Sequence, residues 1–175
     1  LTAARRWADV TSSDYVPALL DRGRARAAAD RLPVTFQEAD AEQLPFAGGA
    51  FDVVLSIFGV MFTANQEQAA RELLRVCRSG GKIGMANWTP EGFIGELFRT
   101  IGKYVPPAPG LKPPARWGTE QGLRELFGDG ISELKTTRRF YVFRYRSPQH
   151  WVEVFRTYYG PVLKAFAALD AAGQA

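Results

Sequence analysis

Apolar positions along the first half of the chain alternate between two rhythms. Ala8 to Ser13 reads as a short strand that ends at Asp14, after which Pro17 sits well in the first turn of a helix. That helix carries Val16, Leu19, Leu20, Gly23 and Ala27 at the i, i+3, i+4, i+7 spacing of one buried face, and Pro33 stops it. Val34 to Ala39 is a second strand, and Phe51 to Ile57 a third and more fully buried one. Gln66 to Arg78 aligns Ala70, Leu73, Leu74 and Cys77 along one side of a helix; Ser79-Gly80-Gly81 turns the chain, and Lys82 to Trp88 is a fourth strand. Leu1 to Trp7, Ala-rich with Arg5 and Arg6 in its last turn, reads as the tail of a helix. Strand alternating with helix predicts an α/β fold, a doubly wound and mostly parallel sheet with helices on both faces.

The rhythm changes after Trp88. Phe93 to Tyr104 is predicted helical, through Phe93, Ile94, Leu97, Phe98 and Ile101. Val105 to Pro114 holds five prolines in ten residues and excludes regular structure. Thr119 opens a helix to Phe127 with a capping side chain. Leu134 to Arg146 reads as a long strand, with Phe140, Val142, Arg144 and Arg146 on one face and Tyr141, Phe143 and Tyr145 on the other. Ser147-Pro148 begins a last helix bearing Trp151, Val154, Phe155 and Tyr158. The 175 residues are expected to form one domain, with a first part over 1–90 and a second over 91–175.

Composition adds limits rather than direction. An apolar share of 46% and a charged share of 23% are ordinary for a globular protein. The net charge of +4 comes from clusters, Arg22, Arg24, Arg26 and Arg31 early and Lys135 to Arg146 late. Such faces read as solvated surface rather than a nucleic-acid footprint. Cys77 is the single cysteine, so no internal disulfide forms, which fits a reducing, cytoplasmic compartment. No run approaches the roughly 20 apolar residues of a membrane span.

The candidate chemistry sits where strands end. In an open parallel sheet, ligands bind outside the carboxyl ends of the strands. Asp14 follows the first strand, and a carboxylate there can accept two hydrogen bonds from a ribose diol. Asp40 follows the second and can accept from an exocyclic amine such as that of adenine. Ser56 to Phe58 follows the third and would form the floor. Alone, either aspartate reads equally well as a turn residue.

Four stretches in order carry a more specific signal. They are Val10-Thr11-Ser12-Ser13-Asp14, Asp40-Ala41 before Leu44-Pro45-Phe46, Phe51-Asp52-Val53-Val54, and Leu74-Arg75-Val76-Cys77-Arg78-Ser79-Gly80-Gly81. At these spacings the chain resembles the class I S-adenosylmethionine-dependent methyltransferases, nearest in flavour to the small-molecule group of ubiquinone and menaquinone biosynthesis. The resemblance covers roughly residues 1–90 and implies a Rossmann-like fold with S-adenosylmethionine as cofactor. It implies that Asp14 holds the ribose hydroxyls and Tyr15 lies against the adenine. By the same resemblance Asp40 and Ala41 read the adenine edge, and Ser56 and Phe58 line the cofactor pocket. On the substrate side it points to Met61, Trp88 and Phe93, and these apolar and aromatic side chains favour a small hydrophobic or aromatic methyl acceptor. No catalytic residue is assigned. His150, beside Trp151, reads as a helix-start residue rather than a base.

One feature of that family has no counterpart. Its glycine-rich loop after the first strand is missing: Gly48-Gly49 precedes a strand and Gly80-Gly81 follows a helix. The family's strands 1 and 7 are likewise unrecognisable. The resemblance therefore implies that the natural polypeptide extends beyond Leu1 and beyond Ala175, an expectation that a continuous sheet built from these residues alone would contradict. Open sheet edges would invite a homodimer. Two rival readings are a non-catalytic binding or scaffold protein on the same fold and an RNA or protein methyltransferase; only the basic segment Lys135 to Arg146 supports the latter.

Overall fold

The structure, a computed structural model, describes residues 1–174. The chain divides into two compact units, Leu1–Met85 and Ala86–Ala175.

The first unit is built from parallel strands joined by helices. Strand β1 (Val10–Asp14) pairs in parallel with β2 (Val34–Glu38), in a register that runs from Val10 opposite Val34 to Asp14 opposite Glu38. Helix α1 (Pro17–Ala29) makes the crossover, with Pro17 in its first turn as anticipated. It can lie close to β2 because residue 23 is glycine: a Cβ there would stand 2.6 Å from the Phe36 ring. Strand β3 (Phe51–Ile57) is paired with β4 (Cys77–Ala86), and helix α2 (Gln66–Val76) links them. Gly81 lies against Asp52 and Gly84 against Leu55, so the two strands run in the same sense. Among the described residues, β1–β2 and β3–β4 form two separate two-stranded sheets rather than one continuous sheet.

The junction of α2 and β4 differs most from the sequence reading. Helix α2 ends at Val76, two residues early, and β4 begins at Cys77 instead of Lys82. The residues expected to turn, Ser79-Gly80-Gly81, lie inside the strand, where Gly80 takes φ +70°. A positive φ needs no helix end; it can equally be absorbed as a kink within a strand.

The second unit is helical: α3 (Phe93–Tyr104), α4 (Glu120–Phe127), α5 (Pro148–Tyr158) and α6 (Gly160–Ala168). Thr119 caps α4 by accepting from the Gly122 amide at 3.0 Å, and Ser147 caps α5 by accepting from the His150 amide at 3.1 Å. The core gathers Ile94, Phe155 and Val162, with Trp88, Leu97, Phe98, Phe143, Trp151 and Tyr159 packed around them. Helix α6 was not foreseen: the sequence reading took the helix that bears Trp151 to Tyr158 as the last one.

The long strand expected over Leu134 to Arg146 does not form. A strand holds its conformation through ladder bonds to a neighbour, and the structure pairs no strand with this segment. Phe140 is 91% exposed, whereas Phe143 turns inward, 5.7 Å from Phe155 between ring centres, and Tyr145 lies 6.2 Å from the same ring.

Candidate functional site

The parallel register of β1 and β2 brings their carboxyl ends to one level, and the Ala39 amide donates to the Asp14 carbonyl at 3.1 Å. Beside those ends lies a pocket of about 430 Å³, within the usual range for small-molecule sites. Its wall takes Thr11, Ser13, Asp14 and Tyr15 from the β1 end, Ala39 to Glu42 from the β2 end, and the length of β3.

Asp14 is half-buried, and its Oδ1 accepts from the Val16 amide at 2.9 Å. Asp40 is exposed, and its Oδ1 accepts from the Glu42 amide at 2.8 Å. Both aspartates are therefore turn-formers, the blander of the two readings, and both also face the pocket. A carboxylate offers about four lone-pair sites, so the turn bond leaves acceptor capacity on each. Tyr15 is 73% exposed at the pocket rim, an open ring face for stacking.

Ser56 sits at the floor, 6% exposed, where its Oγ accepts from the Val60 amide at 3.3 Å and closes the turn after β3. Phe58 does not line the pocket. It adopts φ +57°, uncommon for a non-glycine residue, and this bend delivers Gly59 and Val60 to the wall instead. Met61 is fully buried beneath the short helical turn Val60–Phe62, and its neighbour Phe62 is the one that reaches the pocket. Trp88 and Phe93 belong to the second unit, where both rings pack on Phe143 at 5.9 and 5.7 Å. His150 accepts from the Arg146 amide through Nδ1, consistent with a helix-start residue.

The sequence reading missed one wall and one support. Val53, Leu55 and Ile57 point alternately out of β3 and are 52%, 59% and 64% exposed, making an apolar strip along the pocket. Their period of two was visible, but an apolar run of that length is equally consistent with burial on both faces. The support is Glu72, 7% exposed on α2, which accepts from the Leu44 amide at 2.7 Å and from Arg75. A carboxylate beside Leu73, at the border of the helix face that carries Ala69, Ala70 and Val76, was the available signal.

The lining offers groups that fit an adenosyl moiety: two carboxylate acceptors for hydroxyl and amine donors, an open aromatic ring and an apolar strip. Residues 1–85 match the methyltransferase domain family. An uncharacterized protein of Mycobacterium tuberculosis is 45% identical over 171 residues, which span 97% of this chain and 62% of that protein. The demethylmenaquinone methyltransferase of Thermus thermophilus is 39% identical over 120 residues, 67% of this chain and 54% of the enzyme. Among solved structures, the YcgJ protein of Bacillus subtilis superposes with a TM-score of 0.64 at 15% identity, covering 95% of this chain and 70% of that one, a likeness of fold. The chain thus spans less than two thirds of the length of these curated relatives. With its βαβ crossovers and the acidic residues at its strand ends, the first unit has the Rossmann-like architecture of such enzymes, and in residues 1–85 the chain carries a domain of the class I S-adenosylmethionine-dependent methyltransferase family.

Proposed function

We propose that the natural protein containing this chain transfers a methyl group from S-adenosylmethionine to a small hydrophobic or aromatic acceptor. The observation that carries the reading is the placement of Asp14 and Asp40 on one pocket rim by the β1–β2 register. The cofactor would bring an electrophilic sulfonium methyl, so the chemistry asks the protein chiefly for alignment and exclusion of water. Asp14 would accept from the ribose hydroxyls, and Asp40 from the adenine amine, with the Ala41 backbone at the same edge. Tyr15 would cover the adenine face. Ser56 holds the floor turn in place, and the strip of Val53, Leu55 and Ile57 offers an apolar wall. The acceptor class is supported by that wall and by the Thermus relative, whose name designates a quinone-type acceptor.

Calorimetry with S-adenosylhomocysteine tests this. The full natural chain is expected to bind it, and Asp14→Asn and Asp40→Asn to weaken binding by about tenfold each, some 1.4 kcal/mol. No binding by the unaltered chain would leave the two aspartates as turn residues and favour a non-catalytic binding protein.

A further inference from the structure

The segment between β2 and β3 supplies Asp40, Ala41, Glu42, Leu44 and Phe46 to the pocket, yet apart from one bridge between Asp40 and Gln43 it has no ladder to hold it. What fixes it is one side of α2. Arg75 donates through Nη1 to the Phe46 carbonyl at 2.6 Å and through Nη2 to the Leu44 carbonyl at 2.8 Å. Glu72 accepts from the Leu44 amide at 2.7 Å, so Leu44 is gripped at both its donor and its acceptor. The same two side chains bind each other twice, Arg75 Nε to Glu72 Oε1 at 2.6 Å and Nη2 to Oε2 at 2.8 Å. Nearer the helix start, Glu42 accepts from the Asn65 amide at 2.8 Å, and its carbonyl accepts from Gln68 at 3.1 Å. Two residues before Leu44, the Glu42 amide bonds Asp40.

We infer that Glu72 and Arg75 are positioning residues for the cofactor, clamping Leu44 and Phe46 so that the loop presents Asp40 and Ala41 to the pocket. This rests on the methyltransferase reading above. The geometry demands these residue types. A guanidinium can reach two carbonyls and a carboxylate at once because its donors form a fixed planar fork, whereas the single ammonium of lysine cannot match all three directions. A carboxylate at position 72 can accept from both the guanidinium and an amide, which the single carbonyl oxygen of glutamine does less well.

The test uses Glu72→Gln and Arg75→Lys in the full natural chain, with two ligands: S-adenosylhomocysteine and S-inosylhomocysteine, which replaces the adenine amine by an oxygen. The unaltered protein is expected to prefer the first, because Asp40 accepts from the amine. In both variants that preference is expected to fall by about tenfold, while each stays folded by circular dichroism. A clamp serving stability alone would lower the melting temperature and leave the preference as it was, and that result overturns the inference. Failure of the unaltered protein to bind either ligand overturns the methyltransferase reading itself. Should Arg75→Lys fail to fold, amide exchange in the isosteric Glu72→Gln decides: faster exchange at Leu44 is expected, and unchanged protection refutes the clamp.

Discussion

At the scale of single residues, two titrations are worked out by their surroundings. The hydrogen bond from Arg75 is the main cause holding Glu72 below the ordinary glutamate value of 4.5, helped by the Leu44 amide and opposed by burial. A depressed folded-state pKa adds stability that is complete above 4.5 and is lost as pH falls through the folded value. Urea midpoints are therefore expected to drop below pH 4.5, and less steeply in Glu72→Gln. Tyr159 behaves in the opposite sense. Burial pushes its phenol up from 10.0 to about 12, so the neutral form is favoured in the fold. Its contribution is whole below pH 10 and disappears as pH rises towards 12. The Tyr159 hydroxyl is buried without a hydrogen-bond partner. Tyr159→Phe is expected to leave neutral-pH stability equal or higher and to flatten the alkaline loss, measured by thermal melts from pH 9 upward. Which residues face the pocket was legible for Asp14, Asp40 and Ser56, because a strand end fixes where its last side chains go. It was not legible at Phe58 and Met61. There the chain bends through a positive φ, and no periodicity tells which of Met61 and Phe62 turns inward.

Among elements, α2 joins the two halves of the first unit's logic. Its amphipathic face buries Ala69, Ala70, Leu73 and Val76, while Glu72 and Arg75 beside that face grip the pocket loop. Asn65 caps it, accepting from the Gln68 amide at 3.0 Å, and its own amide donates to Glu42. Asn65→Ala is expected to cost about 1 kcal/mol in chemical denaturation. Strands and helices with local signatures were read closely from sequence: β3 and α3 begin and end at Phe51–Ile57 and Phe93–Tyr104, as expected. The failures share a cause. Leu134 to Arg146 has the alternation of a strand, but alternation states only which face each side chain would take. Whether a strand exists depends on a partner at the right distance, a non-local fact. The start of β4 failed similarly, since a glycine pair fits a turn and a kinked strand alike.

For the molecule as a whole, the chain carries apolar surface that isolated soluble domains usually cover. Val53, Leu55, Ile57 and Phe62 are all more than two-fifths exposed. Among the described residues, two two-stranded sheets present open edges, a template for pairing with another chain. The 175-residue polypeptide is expected to self-associate in sedimentation velocity, and Leu55→Lys to shift it towards monomer; a monomer at every concentration would refute this. Among the described residues, no helix is long and apolar enough to cross a membrane. We propose that the rim shared by the ends of β1 and β2 is the cofactor site. Backbone amide shifts by nuclear magnetic resonance on adding S-adenosylhomocysteine to the full natural chain test it most directly. The expected result is a set of shifts centred on Asp14, Tyr15, Asp40 and Ala41 and extending along β3. Shifts that leave these residues untouched, or none at all, would contradict it.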